Sequence, residues 1–170
     1  EWPALIEAAH ADVLVCALGT TRKAAGSDEA FRSVDHDLVL ETAEAARMAG
    51  IDRMILVSSV GADPQSGNLY LRTKGEVETA LGQLGFARLD VLRPGLLRGK
   101  RAEDRPLEWA GQVVAPLADI LVFHARLRRF RSIAAVRLAQ VILALSERRT
   151  SGRFVHEHDS MSEILHERHI

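Results

Sequence analysis

The sequence has little of several features that would direct it to a specialised class of protein. Cys16 is the only cysteine in 170 residues, so no disulfide can form within the chain. No apolar run is long enough to span a bilayer, and no stretch of the 170 residues has the pattern of a secretion signal. The formal net charge of −1 provides no general attraction to nucleic acid or anionic lipid. We therefore expect a cytoplasmic protein with no nucleic-acid partner.

The composition is that of an ordinary globular domain. Apolar residues make up 47% of the chain and charged residues 26%. The length of 170 residues predicts one domain, spanning residues 1–170. The sequence contains no internal repeat and no low-complexity tract.

Apolar runs and helical periodicity alternate along the chain. The run from Asp12 to Gly19 is short, continuous and rich in branched residues, which is typical of a strand buried on both faces. Residues 28–49 repeat apolar side chains with helical spacing and stop at Gly50, a residue type that often closes a helix. The predicted elements are strands 12–18, 53–58, 87–92 and 153–156, helices 2–10, 28–49, 70–81, 107–123, 134–148 and 160–168, and loops 20–27 and 93–105.

This alternation of strands and helices predicts an α/β fold with a parallel sheet. Ligands of such folds bind at the carboxyl ends of the strands. Gly19, Ser59 and Gly95 each follow the end of a predicted strand, so the sequence predicts one crevice that they share.

The predicted helix 70–81 carries a pair of residues suited to proton transfer. Tyr70 and Lys74 are four residues apart, which places them on one face of a helix. An ammonium beside a phenol favours the phenolate, so Lys74 is expected to lower the tyrosine pKa. A tyrosine of this kind can exchange a proton with a carbonyl or alcohol near neutral pH. Ser59, at the end of the preceding strand, could supply a hydroxyl to the same site.

Three motifs in order carry a resemblance to a known family. Ser58-Ser59, then Tyr70-x-x-x-Lys74, then the turn Leu92 to Gly95 resembles the second half of the short-chain dehydrogenases/reductases. Residues 70–78 are especially similar to an atypical branch of that family, and the resemblance spans residues 12–157. It implies a partial Rossmann-type parallel sheet with flanking helices, and an oxidoreductase that transfers hydride between a nicotinamide and a carbonyl or alcohol substrate.

The resemblance also implies roles for single residues. Tyr70 would be the general acid/base, Lys74 would bind the nicotinamide ribose, and Ser59 would orient the substrate, with Ser58 as the alternative serine. The cofactor would be NADP or NAD, with NADP favoured, and residues 96–170 would form the substrate side. The expected cofactor-binding residues are Ala17, Leu18, Gly19, Ser58, Tyr70, Lys74, Arg93, Pro94 and Gly95. A strand-ending glycine and a Pro-Gly turn also have purely structural explanations.

The family's phosphate-binding glycine motif is missing. No Gly-x-Gly-x-x-Gly occurs in the 170 residues, whereas the family places such a turn ahead of the strand at 12–18. The resemblance therefore implies that the first βα units are absent, and we expect the chain to be a fragment of a longer protein. Because strand 12–18 carries none of the residues that protect an open edge, we also expect self-association.

Several alternatives remain open at this stage. A regulatory protein that senses NAD(P) without turnover is the main one, and a nucleotide-sugar epimerase is a weaker one. Residues 113–123 with the basic cluster 124–131 could lie on a membrane surface, although a substrate-side helix is favoured. The C-terminal histidines fit no closed ligand set, so we expect a solvated tail and no metal: His156, His158, His166 and His169.

Overall fold

The computed structural model describes residues 2–98 and 129–167. Four parallel strands form the main sheet, in the order β1-β2-β3-β6. A separate pair, β4 and β5, is also parallel. The strands are β1 Leu14–Cys16, β2 Arg53–Val57, β3 Arg88–Leu92, β4 Leu97–Arg98, β5 Ile133–Ala134 and β6 Gly152–His156. The predicted α/β fold with a parallel sheet is confirmed.

Helices cover both faces of the sheet. They are α1 Trp2–Ala8, α2 Arg22–Ala25, α3 Asp28–Arg32, a π-helical segment Ser33–Asp37, α4 Leu38–Met48, α5 Leu69–Leu81, α6 Ala135–Ser146 and α7 His158–Glu167. Helices α4 and α5 pack on the face that carries Met54, Leu56 and Val91. Helices α6 and α7 pack on the opposite face, against Ile55 and Leu92. Alternate residues of the central strands therefore serve two cores.

Strand β1 differs from its prediction. It covers three residues rather than seven, and within the described sheet it lies at the edge, beside β2 only. Val15 shares a sheet face with its register partner Ile55 but is 43% exposed, whereas Cys16 on the other face is buried. The expectation of burial on both faces is wrong because α6 and α7 cover Ile55 and leave Val15 open. Self-association through this edge stays a prediction.

Three further segments differ from the sequence expectations. Residues 20–27 include the short helix α2, which begins where Thr21 Oγ1 accepts a hydrogen bond from Ala24 N at 3.1 Å. The predicted helix 28–49 forms, but a π-helical turn interrupts it between α3 and α4. Within the predicted loop 93–105, residues 97–98 form strand β4, and the residues from 99 onward lie outside the described part. The other predicted strands and helices of the described residues are confirmed within one or two residues at most ends. The helix expected at 107–123 lies outside the described residues.

Candidate functional site

Helix α5 carries the two central residues of the site. Its first turn is fixed by Asn68, whose side-chain oxygen accepts a hydrogen bond from Leu71 N at 3.2 Å. Tyr70 follows in that turn, with its side chain 40% exposed and its ring centroid 6.2 Å from that of Phe31. Lys74 is one turn later and is buried. The predicted helix and the shared face of the pair are confirmed, and the phenol is open to a ligand.

The ammonium of Lys74 is held by a residue that the sequence analysis missed. Asp35, in the π-helical turn, is completely buried, and its Oδ1 lies 2.8 Å from Lys74 Nζ. This contact has ion-pair distance but not the angles of a hydrogen bond. Asp35 Oδ2 accepts a hydrogen bond from Thr20 N at 2.7 Å. The carboxylate therefore joins α5 to the segment that follows β1. Lys74 Nζ lies 6.0 Å from the centroid of the Tyr70 ring.

The end of β1 passes directly over this ion pair. A Cβ built on Gly19 would lie 3.3 Å from Asp35 Oδ1 and 3.6 Å from Lys74 Nζ, so the missing side chain leaves space beside the ammonium. Of the other two residues predicted here, Ala17 is exposed and Leu18 packs against the core. Just before them, burial raises the pKa of the Cys16 thiol and keeps it neutral.

A second buried carboxylate lies one turn further along α5. Glu78 Oε1 accepts a hydrogen bond from Ser58 Oγ at 2.6 Å. The guanidinium of Arg93 donates to both oxygens, at 3.0 Å from Nε and 2.6 Å from Nη2. Arg153 Nη2 lies 3.7 Å from Glu78 Oε2. The hydrogen bond to Glu78 raises the pKa of Arg93, which outweighs the opposing effect of desolvation. Two residues predicted to bind cofactor, Ser58 and Arg93, thus have side-chain partners within the fold.

The loops that leave β2 and β3 lie side by side. Ser58 N donates to Leu92 O at 2.7 Å, and Val60 N donates to Pro94 O at 3.0 Å. The Ser59 hydroxyl donates a long hydrogen bond of 3.3 Å to Val60 O. A Cβ at Gly95 would collide with the backbone oxygen of residue 131, so close packing by itself requires a glycine there. Because the strands are parallel, Gly19, Ser59 and this turn share the carboxyl edge of the sheet.

Other residues singled out from the sequence have different environments. Arg22 forms an exposed ion pair with Asp28 at 2.5 Å. The expectation of a solvated tail is wrong for His156, which is buried with its Nε2 2.8 Å from Asp90 Oδ1. Arg88 donates to the same carboxylate from two nitrogens. His156 is the last residue of β6, and the pairing of this strand with β3 brings the histidine ring against Asp90.

The remaining expectations concern metals and membranes. Within residues 2–98 and 129–167, no cluster of three or more histidine, cysteine or acidic side chains could hold a metal ion. In the same part of the chain, no helix combines the length and the apolar character needed to cross a membrane. The run 113–123, most of the basic cluster 124–131 and His169 lie outside the described residues.

The fold and the carboxyl-edge site define the class of protein. A parallel sheet with helices on both faces is a Rossmann-type arrangement, in which ligands bind at the carboxyl ends of the strands. Solved NAD(P)-binding proteins share it. The chain superposes with a TM-score of 0.64 on dTDP-4-dehydrorhamnose reductase from Bacillus anthracis in complex with NADP, at 11% identity, covering 99% of this chain and 66% of that one. WbmG from Bordetella bronchiseptica in complex with NAD gives a TM-score of 0.59 at 14% identity, covering 99% and 61%.

Sequence relatives narrow this class. The chain is 52% identical over 98 residues to the rat protein HTATIP2, covering 58% of this chain and 40% of that protein. It is 53% identical over 96 residues to the mitochondrial protein fmp52 of Emericella nidulans, covering 56% and 41%. The resemblance to the Tat-interacting-protein branch of the atypical short-chain dehydrogenases/reductases is therefore confirmed. No protein-family model matches the chain.

Two points limit and correct the earlier expectations. The chain spans less than half the length of the curated relatives it matches, at 41%, 48% and 40% of the first three. The expectation of a cytoplasmic protein is contradicted, because several relatives from fungi are named as mitochondrial proteins.

The expectation of a nicotinamide cofactor is supported by the neighbouring structures that hold NADP or NAD.

Proposed function

We propose that this chain supplies the catalytic side of an NAD(P)-dependent oxidoreductase acting on a carbonyl or alcohol. The observation that carries the proposal is the accessible phenol of Tyr70 one helical turn from a buried ammonium, at the carboxyl edge of a Rossmann-type sheet. A ligand can reach the phenol, while Lys74 is fixed by Asp35 rather than free to sample solvent. This arrangement suits proton transfer at a defined position.

The residues present fit a nicotinamide cofactor at this edge. Space beside the Lys74 ammonium is left by the missing side chain of Gly19. An ammonium has three N–H donors, so it can serve Asp35 and a ribose hydroxyl together. Ala17 and Leu18, in the same segment after β1, would lie along the cofactor. When bound, the nicotinamide supplies or accepts the hydride.

The protein's own contribution is positioning and proton transfer. The Tyr70 hydroxyl would donate a proton to the substrate oxygen during reduction and would take it back during oxidation. Ser59 would donate a hydrogen bond to the same oxygen, because its present bond of 3.3 Å to a backbone carbonyl is long and easily exchanged. Ser58 and Arg93, which are bonded to Glu78, would hold the two loops in place, and the backbone of Pro94 and Gly95 would border the nicotinamide.

Replacement of the phenol tests this proposal. In the intact protein, Tyr70→Phe keeps the ring that faces Phe31 and removes the proton donor. We expect turnover to fall by a factor on the order of 10²–10⁴, with the dissociation constant for NADPH unchanged. Loss of NADPH absorbance would be followed with a panel of aldehydes, ketones and quinones. Equal turnover by Tyr70→Phe and the wild type on a responsive substrate would eliminate Tyr70 from the mechanism.

A cofactor-sensing protein without turnover is the second candidate. It is favoured by the internal pairing of the site, since Lys74 meets Asp35 and the hydroxyl of Ser58 meets Glu78 without any ligand. A sensor would bind NADPH tightly, would oxidise it with no member of the panel, and would be indifferent to Tyr70→Phe. The fold alone does not separate reductases from epimerases, because solved neighbours include both.

A further inference from the structure

A small cavity is lined by residues that follow the β3 exit turn in the sequence, whereas the proposed catalytic residues precede that turn. It has a volume of about 40 Å³ and is lined by the β4–β5 pair, the start of α6 and one side of α7. Its polar lining is basic or hydroxylic, and none of its eight lining residues is acidic. The polar side chains are Arg98, Arg137, His158, Ser132 and Ser162.

Arg98 has a buried nitrogen that the protein does not satisfy. Its Nε is shielded from solvent and has no hydrogen-bond partner within the part of the chain that the structure describes. An unpaired buried donor costs free energy, and the cost is greater when the group is charged. The nitrogen belongs to a side chain that lines the cavity, so an acceptor bound there would satisfy it.

The backbone around the cavity also favours negative charge. The residue that precedes α6 is Ala134, which has no side chain able to cap the free N–H groups of the helix and which itself lines the cavity. Helix α7 begins at His158, on another wall. Both helices are long enough to carry a partial positive charge at this end. Asp159 follows His158 in the sequence, and its Oδ1 lies 3.2 Å from His158 Nδ1 in an exposed pair.

We propose that this cavity binds a phosphate-type oxyanion. A planar guanidinium presents N–H donors in a fork that matches phosphate oxygens, and two arginines line one small space. This binding site uses none of the residues assigned to proton transfer or to the nicotinamide, so it stands independently of the proposed oxidoreductase activity.

Titration of the intact protein with inorganic phosphate tests the site directly. Arg137 is exposed and its replacement leaves the core intact, so Arg137→Gln is the main variant. Arg149→Gln is the matched control, because this exposed arginine follows the opposite end of α6, roughly 18 Å away for a 12-residue helix. We expect Arg137→Gln and Arg98→Gln each to weaken phosphate binding by about tenfold or more, and Arg149→Gln to leave it unchanged.

Calorimetry at constant ionic strength, with NADPH saturating, separates the possible results. Unchanged affinity in both Arg137→Gln and Arg98→Gln, or an equal loss in Arg149→Gln, would overturn the proposal in favour of adventitious surface binding. Displacement of phosphate by NADPH would reassign the anion to the cofactor site and would equally overturn it. Competition by phenyl phosphate would show that the cavity accepts a phosphate monoester, whereas binding of inorganic phosphate alone would restrict it to the free ion. None of these measurements depends on turnover.

Discussion

The buried ion pair between Asp35 and Lys74 should couple the π-helical turn to helix α5 strongly enough to measure. Asp35 is completely buried and the side chain of Lys74 is 6% exposed, so neither charge can be rescued by water when its partner is removed. Removing one member of such a pair costs about 3–5 kcal/mol, because the other charge stays buried without compensation. Asp35→Ala also removes the acceptor for Thr20 N. We therefore expect Asp35→Ala and Lys74→Met each to lower the free energy of unfolding by about that amount.

The double variant should not be destabilised by the sum of the two changes. With both charges gone, no uncompensated charge remains in the interior, and the coupling energy of the cycle should reach about 2–3 kcal/mol. Urea unfolding followed by far-ultraviolet circular dichroism measures all four proteins. Because a domain of this kind has a stability of only about 5–15 kcal/mol, the single variants are best measured at low temperature.

The chain supplies its own control for this experiment. Arg32 and Glu76 form an ion pair at 2.5 Å between α3 and α5, close in sequence to the buried pair, but their side chains are 40% and 30% exposed. A cycle on this pair should give a coupling of only about 0.2–1 kcal/mol. Additive effects of Asp35→Ala and Lys74→Met, within about 0.5 kcal/mol, would show that burial does not strengthen the contact and would refute the reasoning.

Three further predictions follow from single residues. Glu78→Gln should lower turnover on the order of 10- to 100-fold by loosening the two loops. Val77→Ala, a core change on the same turn of α5, should leave turnover per folded molecule unchanged. Equal losses of turnover in the two variants would show that the carboxylate has only a structural role. Gly75→Ala should cost about 1–3 kcal/mol in urea unfolding, because its Cβ would collide with the backbone at Pro64. The raised pKa of Cys16 should slow alkylation of the native thiol. The free energy of unfolding should fall as pH rises above 9.0, the pKa of the thiol in the unfolded chain, since the unfolded thiol ionises first. Cys16→Ala should abolish that fall.

Much of the fold was predictable because, in its central elements, the spacing of apolar residues in the sequence matches the residues that the structure buries. After its first arginine β2 is a continuous apolar run, β3 is apolar at three of its five positions, and α5 begins and ends within one residue of the prediction. The failure at β1 has the opposite origin. An apolar run looks the same whether helices cover both of its faces or one, so the 43% exposure of Val15 could not be anticipated.

The candidate site was only partly predictable, since its acidic residues carry no signal in an apolar pattern. The expected apolar face of the helix predicted over 28–49 included Val34, Leu38 and Val39. Val39 is buried as expected, but Asp35, which was not on the expected face, is buried as well. The π-helical turn widens the spiral, so burial recurs at every fourth residue from Phe31 to Ala43. Asp35 lies on the same helix face as Phe31 and Val39, but a carboxylate gives no signal in an apolar pattern, and for that reason the sequence analysis passed over it.

A single helix stripe explains how the site is assembled. Tyr70, Lys74 and Glu78 recur at intervals of four residues on α5, so their side chains lie along one face. Lys74 is bound through Asp35 to the segment after β1, and Glu78 is bound to the residues that follow β2 and β3. Neighbouring parallel strands thus have their carboxyl ends fixed to one rigid element, while the first residue of the stripe stays open. Two buried carboxylates therefore hold the edge in place, and the exposed phenol is left as the group that a ligand meets.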